Sequence, residues 1–303
     1  MTTLKWLTAA TLAAIMFPML YAEAHGPGNV VSIRPRFVEH SIILVPVMLN
    51  GSGPYDFVLD TAAQVTTIDP ALASELNLKL RGSAGVTGAG FSTRASYALV
   101  ESLQTGTHVL QNLLLLAHPL GQIQVSDVRV RGILGENFLE HFDLLLDYAH
   151  GIVCLDDKKQ MQQKVKGEHI ALSSPPHSER NLPFTDPPII EVRASAIAKP
   201  LLLQLDSGIN APLLFDSTQL RQTASASVPL RSQGTDGVVW AYTVLAPQDI
   251  QVGMHSFHQI SFVTPTNAGK DIPSTDIDGV VPTAMFQRAF IGYADHFAVL
   301  EPW

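Results

Sequence analysis

Two short segments carry the residues best able to do chemistry. Asp60-Thr61-Ala62 follows the apolar run FVL, and Asp206-Ser207-Gly208 follows LLLQL, 146 residues later. One Asp-Thr/Ser-small tripeptide means little, because about 0.3 matches arise by chance in a chain of this length at average residue usage. Two copies, each after an apolar strand and each at the same place in a longer repeat, mean more. Their chemistry depends on being brought together. Two carboxylates about 3 Å apart cannot both ionise, so they share one proton. One is then a general base toward a water held between them, and the other a general acid toward a carbonyl oxygen. Such a pair hydrolyses an amide without a metal or a nucleophilic Ser or Cys. The small third residue lets backbone N–H groups approach the carboxylates. The plainer alternative is two turn-closing aspartates bonded only to local backbone.

The surrounding sequence repeats at the same distance. FVLDTAAQVTTIDPALASEL (57–76) is similar to LLLQLDSGINAPLLFDSTQL (201–220), and GILGENFLEHFDLLLDYAHGIVCL (132–155) to IDGVVPTAMFQRAFIGYADHFAVL (277–300). Gly132 and Gly279 are offset by 147, Phe138 and Phe286 by 148, and Tyr148 and Tyr293 by 145, bracketing the 146 of the aspartates. Two matches at nearly one period argue for duplication. Asp69-Pro70 predicts a helix start, with Asp216 in nearly the same place in the second copy. Each copy also predicts a short helical stretch holding Phe138 or Phe286. The polar segment 156–184, with Pro175-Pro176, reads as a surface connection. This divides the chain into units at 28–160 and 165–303.

Most other signals are those of strands. Asn50-Gly51 between SIILVPVML and FVLD predicts a hairpin. Thr93, Ala95, Tyr97 and Leu99 alternate with Ser92, Arg94, Ser96 and Ala98, predicting a half-buried strand with the first set inward. Val128 and Val130 alternate in the same way with Asp127, Arg129 and Arg131. The expected fold is all-β, two similar barrel-like units around a pseudo-two-fold axis that lets Asp60 and Asp206 meet.

These residues resemble the aspartic proteases of the pepsin and retropepsin superfamily. LDSG matches the D-[T/S]-G signature and LDTA differs by one residue, while Ile133-Leu134-Gly135 matches the apolar-apolar-Gly segment behind the catalytic loop. The resemblance covers both repeats. It implies a two-lobed, single-chain endopeptidase with Asp60 and Asp206 catalytic, and Thr61 and Ser207 hydrogen-bonded across the lobes beneath them. Ala62 and Gly208 complete the supporting loops. It also implies a hairpin flap over the cleft. GVTGAGFSTRASY (85–97) fits that place, with Gly88 and Gly90 permitting a tight tip and Phe91 touching substrate; SQGTDGVVWAY (232–242) is its counterpart. Three departures stand out: Ala62 for Gly, Val280-Val281-Pro282 for apolar-apolar-Gly, and no Tyr at the flap tip. They leave a second reading, a weak or inactive protease-like module that binds peptides in the same cleft.

Composition narrows the remaining classes. With 19 basic and 27 acidic residues the formal charge is −8, which gives no bulk attraction for nucleic acid or anionic lipid. At 46% apolar and 15% charged residues the chain is an ordinary globule, not a disordered one. No metal motif, GxSxG elbow or phosphate loop occurs, so neither metal nor cofactor is expected. Residues 1–24 read as a signal peptide: Lys5, an apolar run from Trp6 to Leu20, then Ala22-Glu23-Ala24. The expected location is therefore periplasmic or secreted. The expected partner is a peptide or protein substrate, with no nucleic acid, no membrane after cleavage and no second subunit. Cys154 has no partner cysteine and is expected as a buried apolar filler.

Overall fold

A computed structural model of the chain describes residues 31–38, 41–88, 91–120, 124–125, 128–156, 159–173, 187–215, 229–233, 239–266 and 277–303. Residues 1–24, Gly90, Pro175-Pro176 and Asp216 lie outside them. The Asn50-Gly51 expectation is met locally. Both residues adopt positive φ, 50° and 77°, and Leu49 pairs with Ser52 across the turn. Strands Ile42–Leu49 and Ser52–Leu59 therefore form a hairpin that delivers the chain to Asp60.

The protein is all-β, with only short helices. An eight-stranded sheet holds the first aspartate and a nine-stranded sheet the second. Their central registers match at the repeat distance. Gly132–Leu134 runs parallel to Ser52–Leu59 with Gly132 beside Phe57, as Gly279–Pro282 runs parallel to Leu201–Asp206 with Gly279 beside Leu203. Antiparallel to these lie Thr67–Ile68 and Leu213–Leu214, and parallel to those in turn lie His108–Ala117 and Val263–Pro265.

The copies differ where proline intervenes. In the first, Phe91–Thr105 is one continuous strand that also pairs with Ile42–Leu49, closing six strands into a ring. In the second, the corresponding stretch is split into Val239–Val244 and Gln248–Val252. Pro247 lies in the break, where its missing N–H cannot serve a ladder. Gln248–Val252 still returns to Ile189–Ala194, the counterpart of Ile42–Leu49.

A third sheet joins the copies. Its order is Val31–Ile33, Ile152–Asp156, Asp143–Asp147, Phe286–Gly292, Phe297–Pro302, Ile170–Ala171, which reads alike from either end. At its centre Leu145 pairs antiparallel with Phe290, its own counterpart 145 residues on. That is the pairing a local two-fold axis produces. A continuous apolar core runs from Val45, Phe57 and Leu134 through Leu144 and Leu146 to Leu205, Val281 and Phe286. Cys154 packs in a smaller cluster with Met161, Phe290 and Val299, and burial pushes its thiol up to about 11.

Two local expectations change and one is met. Leu99 is 57% exposed, while Ala98 and Val100 are buried. Both faces of that stretch carry apolar residues, so pattern alone cannot choose, and pairing with the neighbouring strands decides. Phe286 is not helical. Only Thr283–Met285 forms a 3-10 turn, and Phe286 opens the strand that pairs with Pro302, whereas Phe138 does sit in the helix Glu136–Leu139. Asp69 caps the helix Pro70–Glu75, its carboxylate accepting from Ala71 N at 2.9 Å.

Candidate active site

Each aspartate ends a strand buried at its core, then turns sharply. Asp60 N donates to Leu134 O at 3.0 Å, fixing the turn against the Gly132–Leu134 strand. Asp206 lies beside Pro282 in the same parallel register.

Beneath the turns the two copies hold each other reciprocally. Thr61 N donates to Ser207 Oγ at 3.1 Å, and Ser207 N to Thr61 Oγ1 at 3.1 Å. Thr61 Oγ1 donates onward to Leu205 O at 2.7 Å, and Ser207 Oγ to Leu59 O at 2.8 Å. Thr61 and Ser207 are both buried. Four bonds among fully engaged buried groups define one geometry, because loss of any partner leaves a desolvated donor or acceptor.

Above this clasp the Asp60 and Asp206 carboxyls both border Gly208, where a Cβ would lie 2.8 Å from Asp60 Cγ and Oδ2 and 3.2 Å from Asp206 Oδ1. Their environments are unequal. Asp60 Oδ1 accepts from Ala62 N at 2.8 Å and Ala63 N at 3.1 Å, whereas among the described residues Asp206 Oδ1 accepts from one backbone donor, Gly208 N, at 2.7 Å. Burial raises both carboxyls above the ordinary range. For Asp60 the two N–H donors oppose the rise. Asp206 is raised further, because the Asp60 charge adds to burial. Two backbone donors on Asp60 against one on Asp206 favour the charge of a singly protonated pair on Asp60.

The supports behind the loops also differ. Gly135 N donates to Thr66 Oγ1 at 3.0 Å, and Asn137 Oδ1 accepts from Thr66 N and Thr66 Oγ1, both at 2.8 Å. A Cβ on Gly135 would lie 2.5 Å from Ala63 O, so only glycine permits this approach. Thr66 and Asn137 carry no sequence signal of their own, since Gln64, Thr67 and Asp69 surround the first and Glu136 precedes the second. Gln204, two residues before Asp206, was also missed. It is buried, and its Nε2 donates to Thr61 O at 3.2 Å. Behind the second loop stand Pro212, Pro282 and Thr283. Thr283 Oγ1 is 2.7 Å from Tyr148 Oη, a bond between the copies.

Of the residues expected in a flap, Gly88 and Phe91 pair opposite each other at the end of the Leu80–Gly88/Phe91–Thr105 hairpin. Its counterpart is the hairpin Pro229–Gln233/Val239–Val244, where Gln233 pairs with Val239. Among the described residues no cluster of His, Cys, Asp or Glu has metal-binding geometry. No helix among them is long and apolar enough to cross a membrane.

Residues 45–138 match the family model described as aspartyl protease. That span includes Asp60 and Gly135 but not Asp206. Among solved structures the chain is similar to a retropepsin-like aspartic protease from Rickettsia conorii, with 18% identity and a TM-score of 0.32. The similarity covers 42% of this chain and 89% of that one. No curated protein matches the sequence.

Proposed function

We propose that the protein is an aspartic endopeptidase that hydrolyses peptide bonds with a water activated by Asp60 and Asp206. The observation that carries this reading is the close approach of the two carboxyls, both against Gly208, over the reciprocal Thr61/Ser207 clasp. Turn-closing aspartates need no partner 146 residues away. Asp60, with two backbone donors on one oxygen, is the ionised base that takes a proton from water as its oxygen attacks the carbonyl carbon. Asp206 gives its proton to the carbonyl oxygen, producing a neutral tetrahedral diol. Asp60 then gives its proton to the amide nitrogen while Asp206 takes one from a diol hydroxyl, which breaks the C–N bond, releases a carboxylic acid and an amine, and regenerates the shared-proton pair.

Both aspartates come from one chain, so a monomer divided at 28–160 and 165–303 suffices. The substrate is a peptide or protein lying under the 85–97 hairpin. Residues 1–24 direct export to the periplasm or outside the cell. Ala62 does not favour the binding-only reading, since its N–H serves Asp60 at 2.8 Å as Gly208 N serves Asp206.

The test is cleavage of unfolded protein by the native chain and by Asp60→Asn and Asp206→Asn. Each variant is expected to lose about 10²–10⁴-fold in turnover or more while keeping its fold. Full activity in either would rule out the pair. Peptide binding without cleavage by the native chain would favour the binding module.

A further inference from the structure

Gln204 is an unusual residue for its place. It lies in the Leu201–Asp206 strand, buried, between Leu203 and Leu205. Its counterpart 146 residues earlier is Val58, which is buried and has no donor. A buried amide costs free energy unless it is bonded, so its one described side-chain bond is informative. That bond reaches across to the other copy, from Nε2 to the Thr61 carbonyl oxygen at 3.2 Å. The Thr61 carbonyl can only accept, which fixes the orientation of the amide.

The Thr61 carbonyl belongs to the same peptide group as the Ala62 N–H. That N–H is the shorter of the two donors to Asp60 Oδ1, at 2.8 Å against 3.1 Å for Ala63. A hydrogen bond to a peptide oxygen polarises the group and makes its N–H a stronger donor. The chain of contacts is therefore Gln204 Nε2–H to Thr61 O, then Ala62 N–H to Asp60 Oδ1. The second copy has the last contact, Gly208 N to Asp206 Oδ1 at 2.7 Å, but Val58 gives it no first one.

We propose that Gln204 is a positioning residue that acts through the Thr61–Ala62 peptide to hold Asp60 as the ionised member of the pair. It touches neither substrate nor the reacting atoms. It biases the proton toward Asp206 and orients a loop that carries Ala62 where its twin carries Gly208. This proposal rests on the endopeptidase reading for its effect on turnover, but the relay itself does not.

The experiment compares full-length native chain with Gln204→Leu, which keeps the volume and removes the donor. Amide protons are followed by nitrogen-15 NMR, and aspartate carboxyls are titrated by carbon-13 NMR. In Gln204→Leu the Ala62 amide proton should move upfield while that of Gly208 stays in place. The lower of the two pair titrations should rise by about 0.5 unit. Where peptide is cleaved, the acid limb of the kcat/KM profile should move with it, with kcat falling several-fold and KM little changed. Gln204→Glu should behave as native while its carboxyl is protonated and can donate, and as Gln204→Leu once it ionises. That variant serves if Gln204→Leu does not fold. A folded Gln204→Leu with the Ala62 amide and the lower titration both unmoved would overturn the proposal. Two aspartates titrating independently in the native chain would instead sink the shared-proton reading, and the Ala62 amide would still decide the relay.

Discussion

The loop that carries Asp60 and the loop that carries Asp206 occupy equivalent places, yet they are held by different physics. The first is bound by hydrogen bonds. Thr66, Asn137 and Gly135 interlock behind it, and two backbone N–H groups meet its carboxylate. The second has Pro212 and Pro282 at the positions of Thr66 and Gly135. Proline fixes φ without needing a partner. Pro282 has φ −61°, and among the described residues one backbone donor, Gly208 N, reaches the Asp206 carboxylate. A loop held by many donors stabilises a charge, and one held by prolines and a single donor leaves its carboxyl neutral. On the proposed reading, these unequal supports are what separate the base from the acid.

Gly208→Ala should break this arrangement most severely after loss of the aspartates themselves. A Cβ there would lie 2.8 Å from Asp60 Cγ and Oδ2 and 3.2 Å from Asp206 Oδ1. One carboxyl must move, and misplacement by about 1 Å costs about 10²-fold in rate. The expected result is a fall in kcat of about that size with near-native stability. Native turnover in Gly208→Ala would show that the two loops tolerate a methyl group equally.

Asn137→Ala should act on the first loop alone. It removes the acceptor of Thr66 N and leaves a buried donor unpaired, at a cost of about 1–3 kcal/mol. Urea unfolding should show that loss, and activity should fall with it. Ala284, at the corresponding place in the second copy, makes no such bonds, so Ala284→Asn is expected to change stability far less. Equal effects at the two positions would erase the contrast.

Ala62→Gly sharpens the comparison from the other side. Ala62 already presents its N–H to Asp60, so the variant should change kcat by no more than a few-fold. A rise of tenfold or more would mean that the Ala62 methyl group crowds the pair.

The smallest effect lies in the seam between the copies. At one end Asp147 faces Arg288, whose guanidinium contacts it at 3.0 Å, and it also meets His150 Nδ1 at 2.9 Å. At the other end Asp143 faces Asp156. Burial, then the charges of Asp156 and Asp295, raise Asp143 to about 6, against the opposing Gln162 bond and Lys159 charge. The folded state therefore binds more protons than the unfolded chain between about pH 4 and pH 6. The stability this group contributes is present at acid pH and lost as pH rises through 6. Asp143→Asn should raise Tm by a few degrees at pH 7.5 and leave it almost unchanged at pH 4. The same gain at both pH values would mean that proton binding at Asp143 is not its source.

What the sequence disclosed follows from locality. The Asp-Thr/Ser motifs, the Asn50-Gly51 turn and the Asp69 cap depend on neighbours in the chain, and their residue types state their geometry. The pairing of Leu145 with Phe290 was implicit in the repeat period, since a duplicated strand on a two-fold axis must meet itself. Three features needed the third dimension. The inward face of 92–100 depends on register with adjacent strands. The short turn before Phe286 depends on where its strand begins to pair with Phe297–Pro302. Gln204 and the Thr66–Asn137 clasp had no periodic or motif signal. Gln204 is one polar residue in an apolar strand, Thr66 and Asn137 stand among other polar residues, and the meaning of each lies in a partner at least 71 residues away.

The central claim is that one proton is shared unequally by Asp60 and Asp206, and cleavage of an unfolded protein across pH tests it most directly. The folded, native chain should give a bell-shaped kcat/KM profile: activity is lost at low pH as Asp60 gains a proton and at high pH as Asp206 loses one. A statine peptide, which mimics the tetrahedral diol, should inhibit it, and a chelator should not. A folded chain that cleaves nothing at any pH while still binding the statine peptide would contradict the account, as would cleavage that persists unchanged above the pH at which both carboxyls are ionised.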